Sequence, residues 1–423
     1  MTIQRILIPE GSSLSAREVV IALGKLGYVI DVLDPDPFCL CRFSRFVRRV
    51  YRSPCLSDDP LMFADFLLTH ISTRSYDLVL PVHEHAFLLS IIAKEIQKHC
   101  AIAISSPEMF DLLQNKVNFF RLLDQLNLPY PPTMFVPAPA EFPMTKVTPY
   151  YVKTAFGTAG DGTWHVTSSE TLSEVLTSLR KREQTGNLGI FIVQDIVPGT
   201  LEVVQSVFQK GELVALHTYR QQIEGVGGSA SGRISVQRPA IVAPLQLLGK
   251  TLKWHGALML DYIYDDSSGR FWFIDPNPRL GETRNAVLAG NNLPQALVNL
   301  TLGNSIPKLI SKNNTRSHIL LTSLLAVAIK TRKRHMILRE LFLALLGSGK
   351  YQDSQEEVVS VWDDILSIVP IALVILQIIF RPTNAQNIAS HAIKNYALSE
   401  RAVISLHAKY ISKAESAFCK DCI

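Results

Sequence analysis

The stretch Phe271-Trp-Phe-Ile-Asp275-Pro-Asn277-Pro-Arg279-Leu-Gly281-Glu282 limits most tightly what this chain can fold into. It opens on bulky apolar residues that favour strand and closes on charged and amide side chains. On extended backbone, residues two apart share a face, so Asp275 and Asn277 point the same way. Pro276 and Pro278 lack backbone donors, which keeps the segment out of the middle of a sheet. A second apolar run, residues 256–260, ends at Asp261, and Asp265-Asp266-Ser-Ser-Gly269 between the runs reads as a hairpin turn. Such a hairpin folds Asp261 back beside Asp275. Two carboxylates and an amide on one face offer oxygen donors to a hard cation such as Mg2+, so Asp261, Asp275 and Asn277 are candidate metal ligands. A surface turn rich in Asp, Asn and Pro accounts for the same residues without a metal.

Earlier in the chain, residues 3–9 read as a buried strand, Gly11-Ser12-Ser13 as a break, 15–26 as a helix and 28–33 as the next strand. That is the βαβ unit of an open α/β sheet. Gly-x-Gly-x-x-Gly is missing, which argues against NAD and FAD. A strand at 76–81 runs into Val82-His83-Glu84-His85. Open α/β sheets bind ligands at such strand ends, so His83 and Glu84 either face a substrate or cap the next helix. His83 and His85 have no third metal ligand in view. Ser105-Ser106-Pro107-Glu108 has the form of a helix start and leads to Asn115-Lys116 and a helical stretch at 119–126. The prolines between 129 and 143 read as an extended connector.

Lys153 then stands on a strand ahead of a turn containing Gly157, Gly160 and Gly162. Glycines let backbone N–H groups approach phosphate oxygens, and the lysine adds a mobile positive charge. The strand that follows ends in Gln194-Asp195-Ile196-Val197-Pro198-Gly199, a kink whose edge N–H and C=O groups can meet an adenine ring. Glu202 is then placed to accept from ribose hydroxyls. Residues 203–208 and 212–219 read as a hairpin across Lys210-Gly211, and 225–233 as a mobile glycine-rich loop between Arg220 and Arg233. Arginine forks suit phosphate and carboxylate, although either arginine serves equally as a solvated loop charge.

Taken in order, Lys116, Lys153 with its glycine turn, residues 194–199 with Glu202, Asp261, and Asp275-x-Asn277-Pro-Arg279 resemble the ATP-grasp superfamily. Within it they are similar to the carboxylate–amine ligases, the large subunit of carbamoyl-phosphate synthase and the biotin carboxylase-like ligases. Residues 306–423 lie beyond it and read from their composition as a mainly helical accessory region. The resemblance covers roughly the first 305 residues and implies an α/β chain with an open parallel α/β domain at 1–105 and an ATP-grasp α+β domain at 106–305. It implies ATP with Mg2+ (Mn2+ as a substitute), and amide formation through an acyl phosphate with release of ADP and phosphate. By the same resemblance Lys116, Lys153 and the turn from Gly157 through Gly160 to Gly162 hold the phosphates. Gln194, Asp195, Ile196 and Val197 meet adenine, Glu202 the ribose, and Asp261, Asp275 and Asn277 the metal. Arg279, with Arg220 or Arg233, steadies the transferring phosphoryl group. Related sequences often carry Glu at the two Asp metal positions and at 194, Asp at 115, and an aromatic followed by Gly-Ser after Arg279. A phosphotransferase and a nucleotide-binding regulator without turnover are the other readings.

A formal charge of +5 over 423 residues makes no case for nucleic acid. Six irregularly spaced cysteines read as free thiols of a reducing, cytoplasmic setting, and the lone Cys419/Cys422 pair has no second pair to make a metal site. Residues 1–9 read as a strand and not as a secretion signal. Beyond about 306, residues 319–329 are apolar, 330–335 form a basic cluster, and 336–346 read as an amphipathic helix. Residues 365–380 are nearly free of polar groups, and the favoured reading is a buried accessory helix. Contact with a membrane surface is its rival, because apolar faces beside basic clusters suit anionic lipid. Selection of the amine substrate and homodimer formation are further roles for this region.

Overall fold

The computed structural model describes residues 4–157, 162–184, 188–359, 363–394 and 406. Three sheets organise it. The first is parallel, with strands β1 (Arg5–Ile8), β2 (Val29–Asp34), β3 (Val47–Arg52) and β4 (Leu78–Val79) in the order β3-β2-β1-β4. The helix Leu14–Gly24 joins β1 to β2, and the Ser13 hydroxyl caps it by accepting from the Ala16 N–H. This is the open α/β unit expected from the sequence. Strand β3 was not expected, because Arg48, Arg49 and Arg52 hide its periodicity; as an edge strand it buries little.

The second sheet is antiparallel and holds β5 (Thr133–Val136), β6 (Tyr150–Thr154), β7 (Thr163–Val166) and β8 (Phe191–Asp195) in the order β5-β8-β6-β7. β5 lies inside the expected connector. Its flanking prolines are tolerated because β5 is an edge strand, where a missing donor breaks no ladder.

The third sheet carries β9 (Thr200–Gln209), β10 (Glu212–Glu224), β11 (Ala230–Val236), β12 (Gly256–Tyr264), β13 (Phe271–Asn277), β14 (Arg316–His318) and β15 (Ser354–Glu356). Their order is β13-β12-β9-β10-β11-β14-β15, so the proline-bearing β13 sits at an edge. β9 and β10 form the expected hairpin, with Lys210 and Gly211 both at positive φ in its turn. The segment 225–233 is not a mobile loop throughout: β11 starts at Ala230 and places Arg233 in the sheet. Gly232 permits this, since a Cβ there would come within 2.6 Å of the Ile223 side chain on β10.

The region beyond 306 contributes to the same sheet. β14 pairs with β11, and β15 runs parallel to β14, so the boundary expected at 306 falls between strands of one sheet. A buried ion pair of 2.7 Å between Arg17 and Asp364 ties this region to the first domain. Four helices, Leu320–Thr331, Arg334–Leu345, Ile368–Phe380 and Ala385–Lys394, follow β14. The first three pack through Leu324, Leu325, Ala328, Ile337 and Ile378. Pro370 occupies the first turn of Ile368–Phe380, where no helical donor is lost. The reading of this helix as buried is corrected: Val369, Leu373, Leu376 and Phe380 are exposed. Hydropathy reports that a helix seeks cover, not that the fold supplies it on every side.

Candidate functional site

The hairpin β12–β13 pairs Asp261 directly with Asp275 and Met259 with Asn277. Alternation along the strands puts Asp261, Asp275 and Asn277 on one face of the large sheet. Lys116 begins the helix Lys116–Gln125, whose N-cap Asn115 accepts from the N–H groups of Val117 and Asn118. The Lys116 backbone N–H donates to the Ala155 carbonyl at 2.8 Å, which docks this helix on the end of β6. From there its ammonium donates to Asp275.

Lys153 approaches from the small sheet. Its ammonium donates to Gln194 Oε1 at 2.9 Å and to the Ile274 carbonyl at 3.2 Å, so it bridges the two antiparallel sheets. Burial pulls the Lys153 pKa down to about 8, with Asp275 and Asp261 opposing the fall and Lys116 adding to it. Burial and the neighbouring Asp275 charge push Asp261 up to about 7, against Arg279, Lys116 and Lys153. The junction of the sheets thus gathers two lysines and two aspartates with their charges in close opposition.

Gly162 stands at φ +74°, and a Cβ there would lie 2.1 Å from Thr154 Oγ1, so this turn position requires glycine. Gly157 precedes it, and Gly160 lies outside the described residues. Gln194 is buried and donates to Thr133 Oγ1 at 2.9 Å. Asp195 takes an ion pair from Lys146, and Ile196, at the strand end, is exposed.

Glu202 and Arg220 lie elsewhere. Glu202 pairs with Tyr262 and Arg220 across the ladders, whereas Val203 pairs with Asp261. Glu202 and Arg220 therefore project from the face opposite Asp261. There Glu202, fully buried, accepts from Arg220 Nε at 2.9 Å, from both ends of the Arg238 fork at 2.9 and 2.6 Å, and from the Tyr262 hydroxyl at 2.8 Å. Asp266 shares the same two arginines.

Arg233 projects from the face of Asp261. It packs over the Tyr219 ring at 5.2 Å and pairs with Glu357 and, at 3.7 Å, with Glu282. Arg279 pairs with Glu84 at 2.8 Å, so the strand end at His83-Glu84 does reach this site. Burial drives His83 well below its ordinary pKa and His85 down to about 3, leaving both neutral. Around the turn 279–284, Gln205 Oε1, Arg233 Nε, Arg279 Nε, Glu18 Oε1, Thr283 Oγ1 and Arg284 Nε are buried without a hydrogen-bond partner. Native proteins keep few such groups, and those that occur are open to a water, an ion or a polar ligand.

Among the described residues, no group of three or more His, Cys, Asp or Glu side chains is placed to hold a metal ion. The candidate set here is two carboxylates and an amide. Sequence reasoning missed Glu18, Arg238 and Glu357. Glu84 was read from its place at a strand end and is found on Arg279, whereas these three reach their partners from distant parts of the chain.

No protein-family model and no curated protein matches this sequence. Solved structures do resemble it. L-amino acid ligase from Bacillus licheniformis matches with a TM-score of 0.55 at 16% identity, over 71% of this chain and 74% of that one. N5-carboxyaminoimidazole synthetase from Staphylococcus aureus matches with a TM-score of 0.58 at 16% identity, over 78% and 88%. The biotin carboxylase domain of Hydrogenobacter thermophilus 2-oxoglutarate carboxylase, in complex with magnesium ADP and bicarbonate, matches with a TM-score of 0.58 at 13% identity, over 75% and 74%. At these identities the likeness is one of fold.

Proposed function

We propose, on the premise of the ATP-grasp fold that this chain shares with those enzymes, that it is an ATP-dependent ligase. It joins a carboxylate to an amine through an acyl phosphate and releases ADP and phosphate. The observation that carries this reading is the meeting of Lys116, Lys153, Asp261 and Asp275 at the junction of the two antiparallel sheets.

A carboxylate attacking a γ-phosphoryl group meets an anionic target, so the protein's task is positioning and neutralisation. Lys116 and Lys153 are the cations for the phosphate oxygens, and Lys116 leaves Asp275 to take that role. Ile196 and the backbone of 194–197 offer an apolar side and edge groups to adenine. The donor set fits magnesium, because burial and Asp275 together hold Asp261 near 7, a like-charge burden that a divalent cation relieves. Asp261, Asp275 and Asn277 would hold the ion, which would supply neutralisation of charge on bridging phosphate oxygens. Manganese suits the same oxygens. Of the two arginines considered as partners for Arg279, Arg233 shares the face of Asp261 and is the one assigned to the transferred group. The unpaired polar atoms around 279–284 line the place for the carboxylate and amine.

The test is ADP release from the purified chain with Mg2+ and ATP against pooled amino acids and small carboxylates, with Asp275→Ala as control. Release that needs both an acid and an amine supports the ligase. Release with an acid or alcohol alone replaces it with a phosphotransferase. Magnesium-dependent ATP binding without release under any pool replaces it with a nucleotide-binding regulator.

A further inference from the structure

We propose that the outer side of helices Arg334–Leu345 and Ile368–Phe380 is a docking surface for an anionic lipid bilayer. Val369, Leu373, Leu376 and Phe380 recur at alternating spacings of four and three, which lines them along one side of the second helix, and Leu366 stands in the turn just before it. All are exposed, Leu373 at 62% and Phe380 at 65%. Leu338, Phe342 and Leu345 form the matching exposed stripe on the first helix, with Phe342 at 61%. The inner sides, through Ile337 and Ile378, are already packed on Leu320–Thr331. The apolar residues are therefore outside because the core lies on the other side.

The occupant follows from charge. Lys330, Arg332, Lys333, Arg334 and Arg339 stand in or beside the first helix, exposed to solvent, and Arg381 follows the second. Arg334 donates to the Phe380 carbonyl at 2.8 Å, which sets the basic run at the end of the apolar stripe. Residues 365–394 contain no Asp or Glu. The one acid of residues 319–346, Glu340, is buried and bound to Tyr351 and Lys350. An apolar face with basic residues at its helix ends and no exposed acid within either helix suits acyl chains beneath anionic headgroups. A second copy would bring the same positive rim against itself, which argues against a symmetric pair. Among the described residues, no single helix is long and apolar enough to cross a membrane, and Ile365–Phe380 bends by 120° into Pro382–Ser390. The contact is one of surface, not of passage.

The test is cosedimentation of the full chain with vesicles of phosphatidylcholine alone or with phosphatidylglycerol added, at low and high salt. Binding to the anionic vesicles, weakened by salt and weak on phosphatidylcholine alone, is expected. Leu373→Glu and Phe342→Glu should each lower it by about tenfold, and Lys330→Gln and Lys333→Gln by about fivefold per charge. These side chains are exposed, so thermal midpoints should hold. No binding, or binding indifferent to salt and to these variants, overturns the proposal. A wild-type dimer in light scattering that Leu373→Glu converts to monomer also overturns it, in favour of an interface between copies.

Discussion

The two faces of the seven-stranded sheet carry similar side chains in opposite states. Behind it, Glu202 is saturated by Arg220, Arg238 and Tyr262, and Asp266 takes what the arginines have left. In front, Asp261 sits against Asp275, Lys116 and Lys153 hold charges with few partners, and several polar atoms near 279–284 have none. A buried ion network that satisfies itself gives a ligand nothing to complete, whereas an unfinished one does. The same residue types are closed on one another on one side and left with unpaired polar neighbours on the other. Strand register, not residue identity, decides which.

The difference can be broken from either side. The largest effect should come from Asp275→Ala, which should lower ADP release about a hundredfold or more and leave the circular dichroism spectrum unchanged. Loss of the folded spectrum would instead make Asp275 a structural residue like Glu202. Glu202→Ala strands two guanidinium groups and a phenol, and should cost about 3–5 kcal/mol in urea unfolding. A Glu202→Ala chain of unchanged midpoint but weaker ATP affinity would return Glu202 to the ribose role. Lys153→Met removes one phosphate cation and should weaken magnesium-ATP binding in calorimetry by about tenfold; unchanged affinity would detach the small sheet from the site.

The smallest effect is the part of the pH slope that belongs to neither face. Burial raises Glu10 from the ordinary 4.5 to about 7 and Asp34 from 3.8 to about 6, both in the first domain. Their protonated forms are the ones the fold prefers, so the stability they contribute is complete below about pH 4. It is lost as pH rises through 6 to 7. Unfolding midpoints should fall over that window, and Glu10→Gln should flatten the slope. The share due to Glu10 and Asp34 should survive both Asp275→Ala and Glu202→Ala, although Asp275→Ala also reduces what Asp261 adds from the front face; loss of the Glu10 and Asp34 share in either variant would tie the first domain to that face.

What could be read from the sequence depended on how local the cause was. The pairing of Asp261 with Asp275 was legible because a turn of Asp, Ser and Gly sits between two strands of clear period. β13 was legible as an edge because proline lacks a donor. Arg233 was mistaken for a loop residue since glycines that mark flexibility also mark close strand approach, as Gly232 does against Ile223. Strands β14 and β15, three residues each, are too short for a period to show. The separation of Glu202 and Arg220 from Asp261 turned on one residue of register across β9 and β12, which no single segment records. Glu18 and Glu357 approach Arg233 from opposite ends of the chain, and the helix Ile368–Phe380 shows its apolar character but not which side is covered.

The lateness of Glu357 has a consequence for the making of the protein. Synthesis runs from the N-terminus, and domains fold as they emerge. A nascent chain that has passed residue 277 already owns Asp261, Asp275 and Asn277, yet it lacks Glu357, the acid that pairs with the buried Arg233. It also lacks Asp364, the partner of Arg17. A buried guanidinium short of its nearest acid opposes folding, so the segment 354–357 completes the large sheet in charge as well as in strands. The residues of the front face are thus made well before Glu357, and Arg233 meets Glu282 earlier in synthesis than its nearer acid.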